Sequence, residues 1–239
     1  SCFRYRDDIP LVVPEVNSHV LDGYELPGII ANPNCSTIQM LVALKPIHDE
    51  FLIERIDVTT MQSVSGTGKE ASEELTSQIE AFSKGIEINP SVYAKPIAFN
   101  VLPHCGDFAE NRYTEEENKL VKETHKILDG NIEVAATCVR VPVLRAHSEA
   151  VWIETEQKLS PEEAREILKR APGIVVKDEP VDGGYPTPWE ASETFETFVG
   201  RIREDFSHPK GLTFWVVADQ LYKGAALNSI QIAEVLATG

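Results

Sequence analysis

The chemistry this chain can do starts with its thiols. It has four cysteines, Cys2, Cys35, Cys105 and Cys138, and none belongs to a Cys-x-x-Cys pair. So low and irregular a density argues against a disulfide framework or a zinc knuckle. Cys35 stands apart. It follows Asn32-Pro33-Asn34, which is turn chemistry, and precedes Ile38, Leu41, Val42 and Lys45 at helical spacing. This places it where a strand turns into a helix. A sulfur there lies near unpaired backbone N–H groups and the positive end of the helix dipole. Both lower a thiol pKa and favour a thiolate nucleophile. The same N–H groups suit an oxyanion on an attacked carbonyl. The competing reading is a buried, inert cysteine.

A cysteine nucleophile needs a proton partner. His147, between Arg145 and Ser148 and between two expected strands, is a candidate general base, against the plainer reading of a loop histidine. Arg140 lies within an apolar strand, Val139-Arg140-Val141. A cation there demands an anion, either an internal carboxylate or the carboxylate of a ligand. Glu115, Glu116, Glu117 and Lys119 open a helix, where dipole complementation on a solvated face is the simplest account. Ser65-Gly66-Thr67-Gly68-Lys69 is a loop whose amides suit a phosphate, although its spacing is not that of a P-loop. His104-Cys105 is a poor metal site without further ligands, and no metal is expected.

These residues need elements to hold them. Strands are expected at Leu11–Val16, Gly28–Ala31, Ile53–Gln62, Ile97–Leu102, Val134–Leu144 and Ala150–Thr155, with a strand pair at Phe195–Arg203 and Leu212–Ala218. Helices are expected after Cys35 and over Glu70–Lys84, with Leu75, Ile79 and Phe82 inward. Two more follow the capping signals Thr114/Glu117 and Ser160-Pro161/Glu163, and an amphipathic helix over Gly224–Leu236 ends the chain. Strands and helices mix without strict alternation. The expected fold class is therefore α/β (α+β), a mixed sheet with helices on one face and a partner subunit on the other.

Bulk composition narrows the partners. A net charge of −16 repels phosphate backbones, so no nucleic acid is expected. No apolar run approaches the roughly 20 residues that span a bilayer, and the first residues carry no signal-peptide pattern. A cytoplasmic protein without membrane contact is the expectation.

The pieces also occur together in a familiar order. Asn32-Pro33-Asn34-Cys35-Ser36-Thr37-Ile38-Gln39-Met40 resembles the active-site signature of aspartate-semialdehyde dehydrogenases. Segments 10–17 (PLVVPEVN), 62–66 (QSVSG), 138–148 (CVRVPVLRAHS) and 224–231 (GAALNSIQ) resemble the same family, so the likeness runs through the whole chain. It implies NADPH-dependent reductive dephosphorylation of β-aspartyl phosphate to aspartate semialdehyde, in the biosynthesis of lysine, threonine and methionine. Cys35 would attack the acyl phosphate and form a thioester. His147 would be the acid/base and Gln62 would orient the substrate. Arg140 would pair with the substrate carboxylate, and Glu116, or its neighbour Glu117, with the amino group. Lys119, Arg4 and Asn34 would grip phosphate. Ser65, Gly66 and Asn228 would face NADP. The resemblance further implies a central domain like that of glyceraldehyde-3-phosphate dehydrogenases, in a homodimer or homotetramer. By this likeness residues 1–34 are the remnant of an NADP-binding domain, 35–218 the catalytic and dimerisation domain, and 219–239 a helix returning to the first. The Gly-rich dinucleotide fingerprint of the family is absent, as if roughly 100 residues, a small domain, preceded residue 1. Two other readings stand beside the dehydrogenase: a non-catalytic dimerisation module, and a thiol hydrolase that uses Cys35 and His147 without cofactor.

Overall fold

Alternating burial along three long strands builds the centre of the molecule. The computed structural model describes residues 2–238. Its elements run α1 (Pro14–Asn17), α2 (Cys35–Phe51), β1 (Ile53–Gln62), α3 (Lys69–Ser83), α4 (Glu115–Ile127), β2 (Glu133–Arg140), β3 (His147–Thr155), α5 (Pro161–Arg170), β4 (Ile174–Val176), α6 (Pro188–Ala191), β5 (Thr197–Glu204), β6 (Gly211–Ala218) and α7 (Leu227–Thr238). The strands form one mixed sheet in the order β2-β1-β3-β6-β5-β4. The β1–β2 and β4–β5 pairs are parallel and the others antiparallel. The α/β mixed sheet expected from the sequence is therefore present. Helices α2, α4 and α5 pack on one face. The other face carries a broad depression of about 570 Å³, lined by Asp57, Thr59, Trp152, Arg201 and Trp215 among others.

Strand register sorts the covered face into rows. Val134, Ile56, Ile153 and Leu212 lie side by side across β2, β1, β3 and β6, and so do Ala136, Val58, Val151 and Phe214. These two apolar rows belong to the main core. The next row is Cys138, Thr60, Glu149 and Val216, and the last holds Arg140 beside Gln62 and His147 beside Ala218. The covered face thus turns polar at one end. Helix α2 matches it along its length. Ser36, Thr37 and Gln39 are buried in its first turns, and Leu41, Leu44 and Ile47 further on. Because the helix is enclosed almost all round, its sequence lacks the one-sided apolar stripe of a surface helix.

Several expected elements take another form. Leu11–Val16 is not a strand. Leu11 makes a single parallel bridge to Ala31, and Pro14 then opens the short helix α1, a position its missing N–H suits. Gly28–Ala31 contributes only the other half of that bridge. Asn17 closes the turn instead, accepting from the Val13 N–H at 2.9 Å and donating to the Leu11 carbonyl at 2.9 Å. Ile97–Leu102 likewise reduces to one bridge, Leu102 to Arg140. On α3, Ile79 and Phe82 are exposed and the inward side is Ala71, Glu74, Leu75 and Gln78. The polar pair faces in because Glu74 accepts from Ser91 and Val92, and Gln78 from Ile97 and Ala98, so both order a loop that has no strand partner. Strand β2 stops at Arg140, β3 starts at His147 rather than Ala150, and β4 was not anticipated. The capping boxes at Thr114/Glu117 and Ser160/Glu163 are both formed. Among the described residues no helix is long and apolar enough to cross a membrane.

Candidate functional site

Asn34 caps α2. Its side-chain oxygen accepts from the Ser36 N–H at 3.0 Å and the Thr37 N–H at 3.2 Å. Of the amides at this helix start, the cap leaves that of Cys35 free, so the anion-binding capacity expected here is narrower than a bare helix end would offer. Asn34 is fixed in turn by α4: its N–H donates to Glu123 at 2.7 Å and its Nδ2 to Glu116 at 2.6 Å. Glu116 also accepts from Gln62 at 3.3 Å and pairs with Lys119 at 3.1 Å. Gln62 donates to Ser36 Oγ at 3.1 Å. The structure therefore brings Cys35, Asn34, Gln62, Glu116 and Lys119 into one cluster. Of the two acidic candidates, Glu116 faces it. Glu117 turns away to cap α4 and to accept from the Cys138 N–H at 2.9 Å.

Cys35 is partly exposed, but its thiol is pushed up to about 12, first by burial and then by the Glu116 carboxylate. Arg140 and the Ser36 amide pull the other way and lose. This reverses the lowering expected from the helix start, because desolvation of a thiolate outweighs a helix end already engaged by its cap. Removing the adjacent charge should restore reactivity. In Glu116→Gln, alkylation of Cys35 at pH 8 is expected to run roughly three- to tenfold faster than in the wild type, as measured by peptide mass. An unchanged rate would show that Glu116 does not control the thiol.

Arg140 and His147 close the other side. Arg140 is 7% exposed and donates through Nη1 to the Ser63 carbonyl at 2.7 Å, while its Nε has no protein partner. Among the described residues it forms no ion pair with a carboxylate, so the internal salt bridge considered from sequence is not present. Wholly buried His147 accepts the Ser63 N–H at Nδ1, 3.1 Å away, with the Ser63 hydroxyl at 3.0 Å. Its proton therefore sits on Nε2, which has no protein partner. Burial and then Arg140 lower its pKa to about 3, so the ring is neutral near pH 7. In this tautomer Nε2 donates, which suits an oxygen that gains charge better than a thiol that must lose its proton.

The remaining expected residues are placed as follows. Gly66 packs so tightly on the imidazole that a Cβ there would lie 2.9 Å from His147 Nε2. The amides of Gly66, Thr67 and Gly68 all donate to carbonyls of their own short turn, so the loop offers no backbone cradle for phosphate. Ser65 Oγ accepts from Gln220 at 2.6 Å. Asn228 is buried, donating to the Val12 carbonyl and Asn32 and accepting from Lys223. Arg4 reaches the cluster only through Glu123, its partner at 3.0 Å. Among the described residues no three His, Cys, Asp or Glu side chains gather as metal ligands.

Several residues that shape the site escaped the sequence reading. Asp219 is buried, pairs with Arg145 at 2.6 Å and accepts the N–H groups of Leu221 and Tyr222. It thereby seats a turn of π-helix at Tyr222–Ala226, which Lys223 ties to Glu15 on α1 at 2.6 Å. The turn presses Gly224 against the nucleophile candidate, where an added Cβ would lie 2.7 Å from Cys35 Cβ and 3.2 Å from its Cα. Gly224→Ala is accordingly expected to destabilise the chain by about 1–3 kcal/mol in urea denaturation, the usual cost of overpacking a closed contact. A neutral change would mean that α2 shifts freely. The signal for Glu149 was present in the alternation of β3, where His147, Glu149, Val151 and Ile153 share the covered face.

Comparison with known proteins assigns the chain's family. Residues 44–223 match the family described as semialdehyde dehydrogenase, dimerisation domain. The chain is 53% identical over 238 residues to the aspartate-semialdehyde dehydrogenase of Aquifex aeolicus (strain VF5), covering 99% of this chain and 70% of that protein. It superposes with a TM-score of 0.95, at 47% identity, on aspartate semialdehyde dehydrogenase II of Vibrio cholerae solved in complex with ASA, again covering 99% of this chain and 70% of the other. The Candida albicans enzyme solved with NADP gives a TM-score of 0.74 at 27% identity, with 99% and 69% covered. Likeness of this degree along nearly its whole length shows that the chain belongs to the aspartate-semialdehyde dehydrogenase family.

Proposed function

We propose that this member of an oxidoreductase family uses Cys35 to open an acyl phosphate, β-aspartyl phosphate, and passes the acyl group on as aspartate semialdehyde. The observation that carries this is the arrangement around the sulfur: Arg140 with unpartnered donor capacity on one side, and the Glu116–Lys119 pair with Asn34 and Gln62 on the other. An amino acid presents a carboxylate and an ammonium to these two sides. Arg140 takes the carboxylate and Glu116 the ammonium. The ammonium offsets the Glu116 charge, the second cause after burial of the high Cys35 thiol, so substrate binding itself favours the thiolate. Sulfur attacks the acyl carbon, the carbon–oxygen bond to phosphate breaks, and phosphate leaves with the electron pair and takes up the proton that the thiol gives up, so that thiol and acyl phosphate become thioester and hydrogen phosphate, with Lys119 nearby to hold the anion. His147 Nε2 donates to the carbonyl oxygen as charge develops there.

The reductant in this reading is NADPH, on the strength of the Candida albicans relative solved with NADP. When bound, it supplies the hydride that releases the thioester as aldehyde. The amides of the 65–68 turn are not free for its phosphates, so their grip lies elsewhere. A second copy of the chain is the proposed partner on the uncovered face of the sheet, where the depression beside Trp152 and Trp215 lies.

The test needs no cofactor. After incubation with β-aspartyl phosphate and acid quench, the Cys35 peptide is expected to carry an aspartyl thioester, with one phosphate released per adduct. An adduct on Cys2, Cys105 or Cys138 instead, or phosphate release without any adduct, would overturn the reading.

A further inference from the structure

Glu149 takes no part in the chemistry above, yet its position is unusual. It is wholly buried on β3, one row below Gln62 and His147, and neither of its oxygens has a hydrogen-bond partner. An ionised carboxylate so placed is too costly to keep, and the ordinary resolution is to carry a proton. Burial pushes its pKa well above the usual carboxylate range, and the amide N–H side of neighbouring Gln39, which acts to lower it, forms no hydrogen bond to it and does not offset that rise. Gln39, on α2, is also wholly buried. Its Nε2 donates to the His147 carbonyl at 3.4 Å, which orients the amide and leaves Oε1 without a donor. With one N–H of Gln39 spent on the His147 carbonyl, the three oxygens of the two side chains have more acceptor capacity than the pair has donors to fill. A proton on Glu149 provides a further donor.

We propose that Glu149 is a positioning residue of the Cys35–His147 site, an uncharged carboxylic acid that hydrogen-bonds Gln39 and, through the hold of Gln39 on the His147 carbonyl, fixes the end of β3 from which the imidazole projects. Its lack of charge has a second effect. A carboxylate at this point opposes thiolate formation at Cys35, within reach of its field, and an acid does not. The proposal rests on the reading of Cys35 as the nucleophile, and its test separates the two.

Two variants and one spectrum decide it. Glu149→Gln keeps the shape, the donor and the neutrality, whereas Glu149→Leu keeps the bulk and removes the donor. Thioester formation on Cys35 from β-aspartyl phosphate is expected to keep the wild-type rate in Glu149→Gln. In Glu149→Leu it is expected to fall roughly tenfold, the scale of leaving one buried polar group unpaired. A glutamine variant as slow as the leucine variant would show that a carboxylate is required. A leucine variant as fast as wild type would show that Glu149 positions nothing. Either result overturns the proposal. Infrared difference spectra between wild type and Glu149→Gln at neutral pH should show the C=O stretch of a protonated carboxyl group in the wild type alone, and its absence overturns the proposal even if the leucine variant fails to fold. If wild-type Cys35 forms no thioester while this band is present, the nucleophile reading has failed and the uncharged acid has not.

Discussion

Serine in place of Cys35 should reduce acyl transfer from β-aspartyl phosphate by at least about 10³-fold, with the fold and the substrate affinity unchanged. An alcohol is a far poorer nucleophile than a thiolate, and nothing nearby is arranged to activate it. Nδ1 of His147 is occupied by Ser63, and Nε2 carries the proton. Losses of this order or larger follow removal of a covalent nucleophile in other enzymes. Phosphate release, followed as a single turnover, measures the effect. Circular dichroism and the dissociation constant of a non-hydrolysable acyl-phosphate analogue supply the controls. Residual phosphate release within tenfold of the wild type would mean that Cys35 is a spectator, and the reading of a dimerisation module without catalysis would take its place.

Arg140→Lys should lower kcat/KM by roughly 10²-fold, most of it in KM. A charge-assisted, two-pronged contact to a carboxylate contributes on the order of 1.5–3 kcal/mol, and lysine keeps the charge without the planar fork. The structure adds a second part to the effect. Arg140 also holds the Ser63 carbonyl, and Ser63 in turn holds His147 through its N–H and hydroxyl. Lysine in that place is expected to loosen the imidazole and bring a smaller fall in kcat. Measuring KM and kcat separately resolves the two parts. A fall in kcat with KM unchanged would assign Arg140 to the support of His147 and remove it from substrate binding.

Local signals in the sequence were enough to locate Cys35 at a helix start, because turn chemistry and the spacing of Ile38, Leu41 and Val42 depend on near neighbours alone. The same holds for the capping box at Thr114, where donor and acceptor are three residues apart. Alternation marked β1 for the same reason. Strand assignments failed where the partner decides the outcome. Leu11–Val16 has the composition of a strand but meets Ala31 at one point only, and a proline follows. On α3 the inward face was chosen by loop amides seeking acceptors, which favoured Glu74 and Gln78 over Ile79 and Phe82.

By itself, then, the sequence determined the nucleophile candidate, the family likeness and the mixed α/β class, since each is written in residues close together along the chain. The tertiary structure alone decided the electrostatics. The thiol is raised rather than lowered because burial disfavours the thiolate and because Glu116, 81 positions away, stands beside it. Glu116 rather than Glu117 faces the site because the capping box claims the latter. The Glu149 carboxyl is pushed well above the usual carboxylate range because the fold buries it where neither oxygen finds a hydrogen-bond partner. A pKa is a property of surroundings assembled from distant segments, and those surroundings exist only once the sheet and α2 have met.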